Sequence, residues 1–341
     1  MTLRKAGFLC LLFGLCITGC STKVSKEDQM TEQEEEIRLE TEIITEIETE
    51  SKTEETEIQI PEEELAKRII CWGDSLTYGQ GGNGVTYPSV LEEKSGLEVI
   101  NYGIQGETAR QISIRMGVHP MSVGAFEIPS ETDPVEVSLW QWGEDPIMMR
   151  LGDCGINPCY IAGVEGTLSY AAEENKYYFT RKEAGDAVSV SDQTEVETFA
   201  AVDKDSSDII VLFAGTNRPP DKDTVGDLIQ MERQMIEYLG TERYVVIGLT
   251  SKKLIKDVEV INESLAGAFG EHFLDIRSYL LENGLRDAGI EPTKKDTKNI
   301  AIGEIPSSLR VDEVHGTKDF YRIIGECVYR KLVELVYLIE K

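Results

Sequence analysis

The sequence predicts an α/β protein in which helices cover both faces of a parallel central sheet. Four short, largely apolar runs indicate the strands, at 67–72, 97–100, 208–214 and 244–249. Such runs are typical of strands that are buried on both faces of a parallel sheet. Apolar residues at helical spacing predict covering helices at 225–239, 258–269 and 319–341. Together these observations favour a three-layer α/β/α domain.

The first three strands are each followed by a polar turn that contains glycine. Gly-Asp-Ser stands at 73–75, a longer polar segment at 101–108, and Gly-Thr-Asn at 215–217. Because the carboxyl ends of parallel strands lie at one edge of a sheet, these turns should converge there. Glycines let backbone N–H groups approach a ligand, and a side-chain amide can stabilise a developing oxyanion. Any one of these turns alone fits an ordinary connection equally well.

A long interval separates the second and third turns, since 108 residues lie between Gly106 and Gly215. A crossover between parallel strands needs a helix of only ~10–12 residues, and 109–116 can supply it. The rest contains strand-like runs at 135–139, 147–151, 177–180 and 187–190. We therefore predict a β-rich subdomain, barrel-like or sandwich-like, inserted at 117–205 into a domain of residues 63–341. It either shapes the substrate pocket or is a stability or partner-binding module away from the site.

Composition narrows the class of protein. The chain has 34 Lys+Arg against 62 Asp+Glu, a formal net charge of −28. This balance argues against a nucleic-acid partner, because affinity for a polyanion comes mainly from Lys and Arg. A hydrophobic content of 41% excludes wholesale disorder.

The first 62 residues precede the predicted domain. Residues 1–20 combine Arg4 and Lys5 with an apolar stretch and end in Thr18-Gly19-Cys20. This is the pattern of a secretory signal, and its ending resembles a bacterial lipobox, in which Cys20 would receive the lipid. An uncleaved anchor, or a signal cut elsewhere, is the alternative. Residues 21–62 hold 15 acidic and 4 basic residues, which predicts a disordered acidic linker, although a partly helical segment is also compatible.

The segment that ends in Asp312-Glu313-Val314-His315 carries the candidate base. An Asp three residues before a His can hold one imidazole nitrogen and leave the other to take a proton from a hydroxyl. The chain has three histidines. His119 and His272 are better explained as structural or surface residues, so spacing favours His315.

Taken in order, these motifs resemble the SGNH hydrolases, also called the GDSL esterase/lipase family. The matching segments are 73–76, 101–108, 215–217 and 312–315. The resemblance implies a flavodoxin-like SGNH fold in which Ser75 is the nucleophile, His315 the general base and Asp312 the residue that orients it. It also implies an oxyanion hole made of the Ser75 and Gly106 backbone N–H groups and the Asn217 side chain. Family members commonly have Asp after the third-motif Asn, where this chain has Arg218, which puts the usual support of that loop in doubt.

This resemblance implies two-step acyl transfer without a metal or cofactor. The sequence lacks the His-Glu-x-x-His and paired Cys-x-x-Cys motifs of zinc sites and the Gly-x-Ser-x-Gly elbow of the other large α/β hydrolase class. The expected substrate is an ester, in particular an O-acyl group on a carbohydrate. A lipase or lysophospholipase is one alternative, and an inactive surface lipoprotein that binds through the β insertion is another. No motif indicates an oligomeric state.

Cysteine and tryptophan leave two questions open in the insertion. Cys154 and Cys159 fit either a disulfide or two core thiols, and unpaired thiols are slightly favoured. Trp140 and Trp142 alternate in a strand-like run, which would place both rings on one face. Such a pair suits stacking on a sugar, and a core or hairpin face explains it equally well.

Overall fold

The computed structural model describes residue 66, residues 68–141 and residues 154–339. In chain order its strands are β1 (Arg68–Gly73), β2 (Glu98–Gly103), β3 (Ser122–Val123), β4 (Phe126–Ile128), β5 (Val135–Val137), β6 (Leu139–Trp140), β7 (Cys159–Ile161), β8 (Val164–Ala171), β9 (Lys176–Arg181), β10 (Val188–Val190), β11 (Thr194–Glu197), β12 (Ile209–Phe213), β13 (Tyr244–Ile247) and β14 (Phe273–Leu274). The α-helices are α1 (Ser75–Tyr78), α2 (Tyr87–Ser95), α3 (Ala109–Met116), α4 (Phe199–Val202), α5 (Val225–Leu239), α6 (Val258–Phe269), α7 (Ile276–Glu282), α8 (Gly284–Asp287), α9 (Lys294–Ala301) and α10 (Lys318–Glu334).

A five-stranded sheet with the order β2-β1-β12-β13-β14 forms the centre of the domain. All its neighbouring strands pair in parallel. Among sheet strands in chain order, this is the 2-1-3-4-5 arrangement of flavodoxin-like folds, whose switch point lies between β1 and β12. Ligands of open α/β sheets bind outside the carboxyl ends of the strands at such a point, and Ser75 and Asn217 follow β1 and β12.

Helices cover both faces of this sheet. Alternate strand residues such as Ile69, Cys71 and Val211 pack with α2, α7 and α10 in one core cluster. Their neighbours, such as Ile70 and Leu212, pack with α3 and α5 in another. Since successive strand residues point to opposite faces, the two clusters lie on opposite sides. The predicted three-layer α/β/α architecture is confirmed.

Most elements of this body agree with the sequence-based expectations. Helices α3, α5 and α6 have the predicted bounds, and Thr108 is the N-cap of α3, with a capping box to Gln111. Strand β2 extends to Gly103, beyond the predicted end at 100. The C-terminal helix ends at Glu334, two residues before Val336 adopts a left-handed φ of 60°. Helices α2, α7, α8 and α9 were not predicted.

The strands between 122 and 197 form antiparallel pairs. Seven of them make a sheet of order β5-β9-β8-β7-β11-β3-β6, and β10 pairs with β4. The predicted runs at 135–139, 177–180 and 187–190 lie in β5 and β6, in β9 and in β10, whereas the longest strand, β8, was not predicted. The run at 147–151 lies outside the described residues. The Cys159 thiol is buried and free, so no disulfide joins it to Cys154.

The segments that carry the predicted signal peptide (1–20), Cys20 and the linker (21–62) lie outside the described residues, as does Trp142. Within the described part of the chain, no helix is both long and apolar enough to cross a membrane.

Candidate active site

The candidate site forms where β1, β2 and β12 end. Gly73 closes β1 at a point of very close packing, because a Cβ there would lie 2.1 Å from Thr77 Oγ1 and 2.6 Å from the Phe213 carbonyl oxygen. Only glycine fits this position without displacing its neighbours. Only Asp74 separates the end of β1 at Gly73 from α1, whose first residue is Ser75.

Asp74 is the N-cap of α1 and lies completely buried. Its Oδ1 accepts a hydrogen bond from the Leu76 N–H at 2.9 Å. Burial raises the pKa of the Asp74 carboxyl to about 7. This residue is thus a cap that also places a titratable group directly beside the candidate nucleophile.

Ser75, His315 and Asp312 form one hydrogen-bonded chain. His315 Nε2 lies 2.9 Å from Ser75 Oγ, and His315 Nδ1 lies 2.8 Å from Asp312 Oδ2. Ser75 is 4% exposed, whereas the Asp312 side chain is 49% exposed. With Nδ1–H donating to Asp312, Nε2 is left to accept the serine proton.

The loop around Asp312 holds its carboxylate in place. Oδ1 accepts the backbone N–H groups of Val314 and His315, each at 2.7 Å. Partial burial acts to raise the pKa of Asp312, but hydrogen bonds from the His315 backbone, the imidazole and Val314 outweigh it and hold that pKa below its ordinary value. Asp312 therefore remains an anion suited to orient the imidazole.

The two other predicted oxyanion donors lie in the turns that follow β2 and β12. Gly106 has a left-handed φ of 78°, a conformation that glycine adopts readily. The Asn217 Nδ2 donates to the Glu107 carbonyl oxygen at 2.9 Å and lies 3.3 Å from Asp74 Oδ2. An oxyanion bound here would compete with Asp74 Oδ2, the more distant of the two acceptors, for a hydrogen of the Asn217 amide.

A buried ion pair that was not predicted supports this turn. Glu107 and Arg115 both have fully buried side chains, and Arg115 Nη2 lies 2.5 Å from Glu107 Oε2. Arg115 also donates to the backbone carbonyls of Tyr102 and Cys154, each at 2.9 Å. It thereby connects the turn after Gly106 with the inserted segment. The signal in the sequence was the position of Arg115, which stands between the apolar residues Ile114 and Met116 of α3.

A pocket of about 270 Å³ opens beside Asn217. Its lining includes Arg218, Pro219, Leu228 and Met231. Arg218 has a φ of 47°, which is uncommon outside glycine and occurs often at functional sites. The pocket offers room for a small substituent next to the candidate oxyanion hole.

The other two histidines lie in structural contacts. His119 Nδ1 is 3.0 Å from Ser113 Oγ. The His272 ring stacks on Tyr244, with ring centroids 4.1 Å apart. Within residues 66, 68–141 and 154–339, no three His, Cys, Asp or Glu side chains form a group that could hold a metal ion.

Comparison with known proteins finds similarity to solved structures. A protein assigned to the lipolytic G-D-S-L family, from Desulfitobacterium hafniense DCB-2, aligns at 14% identity and a TM-score of 0.42, over 78% of this chain and 99% of that one. Another member of that family, from Veillonella parvula DSM 2008, aligns at 16% identity and a TM-score of 0.40, over 79% of this chain and 97% of that one. A peptidoglycan O-acetylesterase aligns at 13% identity and a TM-score of 0.36, over 80% of this chain and 92% of that one.

No family model matches the sequence, and no curated protein matches it significantly. The structural alignments have identities and TM-scores too low to assign an activity.

Proposed function

We propose that this protein is a serine esterase that hydrolyses carboxylic esters through an acyl-enzyme intermediate. The observation that carries the proposal is the continuous hydrogen-bonded chain from Ser75 through His315 to Asp312. A hydroxyl, an imidazole and a carboxylate in this order are the parts that activate a serine nucleophile.

The reaction follows from these contacts. Ser75 Oγ attacks the ester carbonyl carbon while His315 Nε2 takes the hydroxyl proton. The carbonyl oxygen becomes an oxyanion, held by the backbone N–H groups of Ser75 and Gly106 and by the Asn217 amide. When the bond to the alcohol breaks, His315 returns the proton to the leaving alkoxide. Water then repeats the sequence on the acyl-enzyme and releases the acid.

We propose short O-acyl groups, such as acetyl, on carbohydrate as the substrate. The pocket beside Asn217 has a volume of about 270 Å³, below the range of about 300–1,000 Å³ typical of sites for drug-sized ligands. The pocket therefore offers room for a small acyl group beside Asn217, one of the candidate oxyanion donors.

Hydrolysis of p-nitrophenyl acetate tests the reaction class. The wild-type protein should release nitrophenolate, and Ser75→Ala should reduce the rate to that of the buffer. Ser264→Ala removes a hydroxyl from α6, where it only bonds the Val260 carbonyl, and serves as the matched control. Equal rates for wild type and Ser75→Ala would contradict the assignment of Ser75.

We also propose an extracytoplasmic location with a lipid anchor at Cys20. The basis is the sequence of residues 1–20, in which a basic start and an apolar stretch lead to Thr-Gly-Cys. In bacterial expression, wild type should partition into detergent and Cys20→Ala should stay in the aqueous phase. An identical distribution of the two proteins would contradict the anchor.

A further inference from the structure

Arg115, on α3, is completely buried and contacts several other segments of the chain. Its Nε donates to the Glu107 carboxylate at 3.1 Å, as Nη2 also does. Nη2 donates in addition to the Tyr102 carbonyl, and Nη1 donates to the Cys154 carbonyl. The guanidinium carbon lies 5.0 Å from the centre of the Trp72 ring in β1. Since all three nitrogens are bonded and the guanidinium is a rigid fork, this side chain has one favoured position.

The turn that carries Gly106 is closed by a weak bond of its own. The Glu107 N–H donates to the Ile104 carbonyl at 3.4 Å, longer than the usual range of about 2.7–3.2 Å. Among the residues that the structure describes, none accepts a hydrogen bond from the Gly106 N–H. That N–H is therefore available to an oxyanion, and contacts from outside the turn contribute more to its position.

Glu107 connects Arg115 with two of the three candidate oxyanion donors. It follows Gly106 directly in the turn, so the two residues share a peptide group. Its carbonyl oxygen accepts a hydrogen bond from Asn217 Nδ2 at 2.9 Å. Its fully buried carboxylate is held by Arg115. A displacement of Glu107 would therefore move the Gly106 N–H and the Asn217 amide together.

Oxyanion donors stabilise a transition state only over a narrow range of positions. They act at about 2.7–3.1 Å from the oxyanion, and a misplacement of about 1 Å can lower the rate ~10²-fold. We propose that Arg115, acting through Glu107, is a positioning residue that sets the geometry of the oxyanion hole. This inference rests on the proposed function, because the oxyanion forms only when Ser75 attacks an ester.

Glu107→Gln and Arg115→Lys test the inference in the full chain on p-nitrophenyl acetate. The first keeps the shape of the side chain without its charge, and the second keeps the charge without the planar fork. Acylation and deacylation both pass through an oxyanion, so kcat and kcat/KM should fall together by about tenfold or more and leave KM nearly unchanged. Glu107→Gln decides the question if Arg115→Lys does not fold.

Arg181→Lys is the matched control. Arg181 is also a buried arginine, and it donates to the backbone carbonyls of Pro129, Glu183 and Asp186 in the inserted segment. Its replacement should lower the unfolding temperature but leave kcat near the wild-type value. Circular dichroism at the assay temperature checks that each variant is folded.

A double-mutant cycle with Asn217→Ala separates positioning from a general loss of structure. If Glu107 acts by placing the Asn217 amide, Glu107→Gln should lower kcat much less in the Asn217→Ala background than in the wild-type background. Losses that arise independently would instead multiply, because the free-energy changes of uncoupled sites add.

The inference is overturned if Glu107→Gln keeps the wild-type kcat, or if its loss and that of Asn217→Ala multiply. Either result with an active wild-type protein leaves the esterase proposal intact. A wild-type protein that does not hydrolyse p-nitrophenyl acetate would contradict the esterase proposal itself, and this inference with it.

Discussion

The parallel-sheet body and the inserted β segment differ in where their polar side chains lie. In the body, Asp74, Ser75, Glu107 and Arg115 are all buried near one edge of the sheet. The insertion also buries polar residues, such as Arg181 and Thr198, but they lie far apart in the sequence, beside an apolar cluster that includes Ile128 and Phe179. Burying polar groups is costly, so their concentration at one edge marks a site that has a function.

Breaking the buried pair of Glu107 and Arg115, from which Arg115 also bonds the Cys154 carbonyl of the inserted segment, should have the largest effect. Arg115→Leu leaves Glu107 buried without its partner and should lower the free energy of unfolding by about 3–5 kcal/mol. Urea denaturation measures this loss. Arg286→Leu is the control, since Arg286 is 69% exposed in its pair with Asp287, and exposed pairs contribute about 0–1 kcal/mol.

The double variant Arg115→Leu/Glu107→Leu sharpens this test. Removing both charges should recover part of the lost stability, because an apolar pair leaves no buried charge uncompensated. A double variant that is no more stable than Arg115→Leu would show that the pair does not govern the stability of this junction.

Asn217→Ala tests the candidate oxyanion hole within the body. Loss of one oxyanion donor typically lowers kcat by ~10²–10³, and we expect a decrease of that size on p-nitrophenyl acetate. The protein should stay folded, because Asn217 is only part-buried and its loss removes two hydrogen bonds but little apolar packing. A wild-type kcat in this variant would remove Asn217 from the mechanism.

Glu232 on α5 is another buried charged residue of the body, and its replacement should give the smallest effect. It is fully buried, and neither carboxylate oxygen has a hydrogen-bond partner. Burial raises the pKa of Glu232 well above its ordinary value of 4.5. The folded protein therefore holds this proton more tightly than the unfolded chain does, and stability falls as the pH rises above 4.5 toward the raised pKa.

Glu232→Leu should consequently raise the free energy of unfolding by about 1–3 kcal/mol at pH 8 and by less at pH 5. The stability of Glu232→Gln, which cannot ionise at this position, should depend on pH as weakly as that of Glu232→Leu. Urea denaturation at the two pH values measures both effects. A stability difference that does not vary with pH would show that Glu232 is not the titrating group.

The sequence predicts the body better than the insertion, for a physical reason. Strands such as β1 and β12 are buried on both faces and therefore stand out as continuous apolar runs. The cap at Thr108 and the glycine after Met116 mark the ends of α3. Strands of the insertion carry weaker signals: β3 is only two residues long, and β8 has no continuous apolar run, because only two of its eight residues are buried.

The candidate site was predictable only in part. Ser75, Asp312 and His315 lie in local motifs, and a parallel sheet brings such motifs to one edge. The contact between Arg115 and the Cys154 carbonyl joins residues 39 positions apart and depends on how the insertion packs. The same holds for the Asn217 bond to the Glu107 carbonyl, which no local spacing reveals.

The most direct test of the central claim, that His315 and Asp312 activate Ser75, is covalent labelling with a fluorophosphonate followed by peptide mass spectrometry. Wild type should carry one label on Ser75, and labelling should become much slower in His315→Ala, because the hydroxyl then loses its base. Label on another residue, or an equal rate of Ser75 labelling in His315→Ala, would contradict the claim.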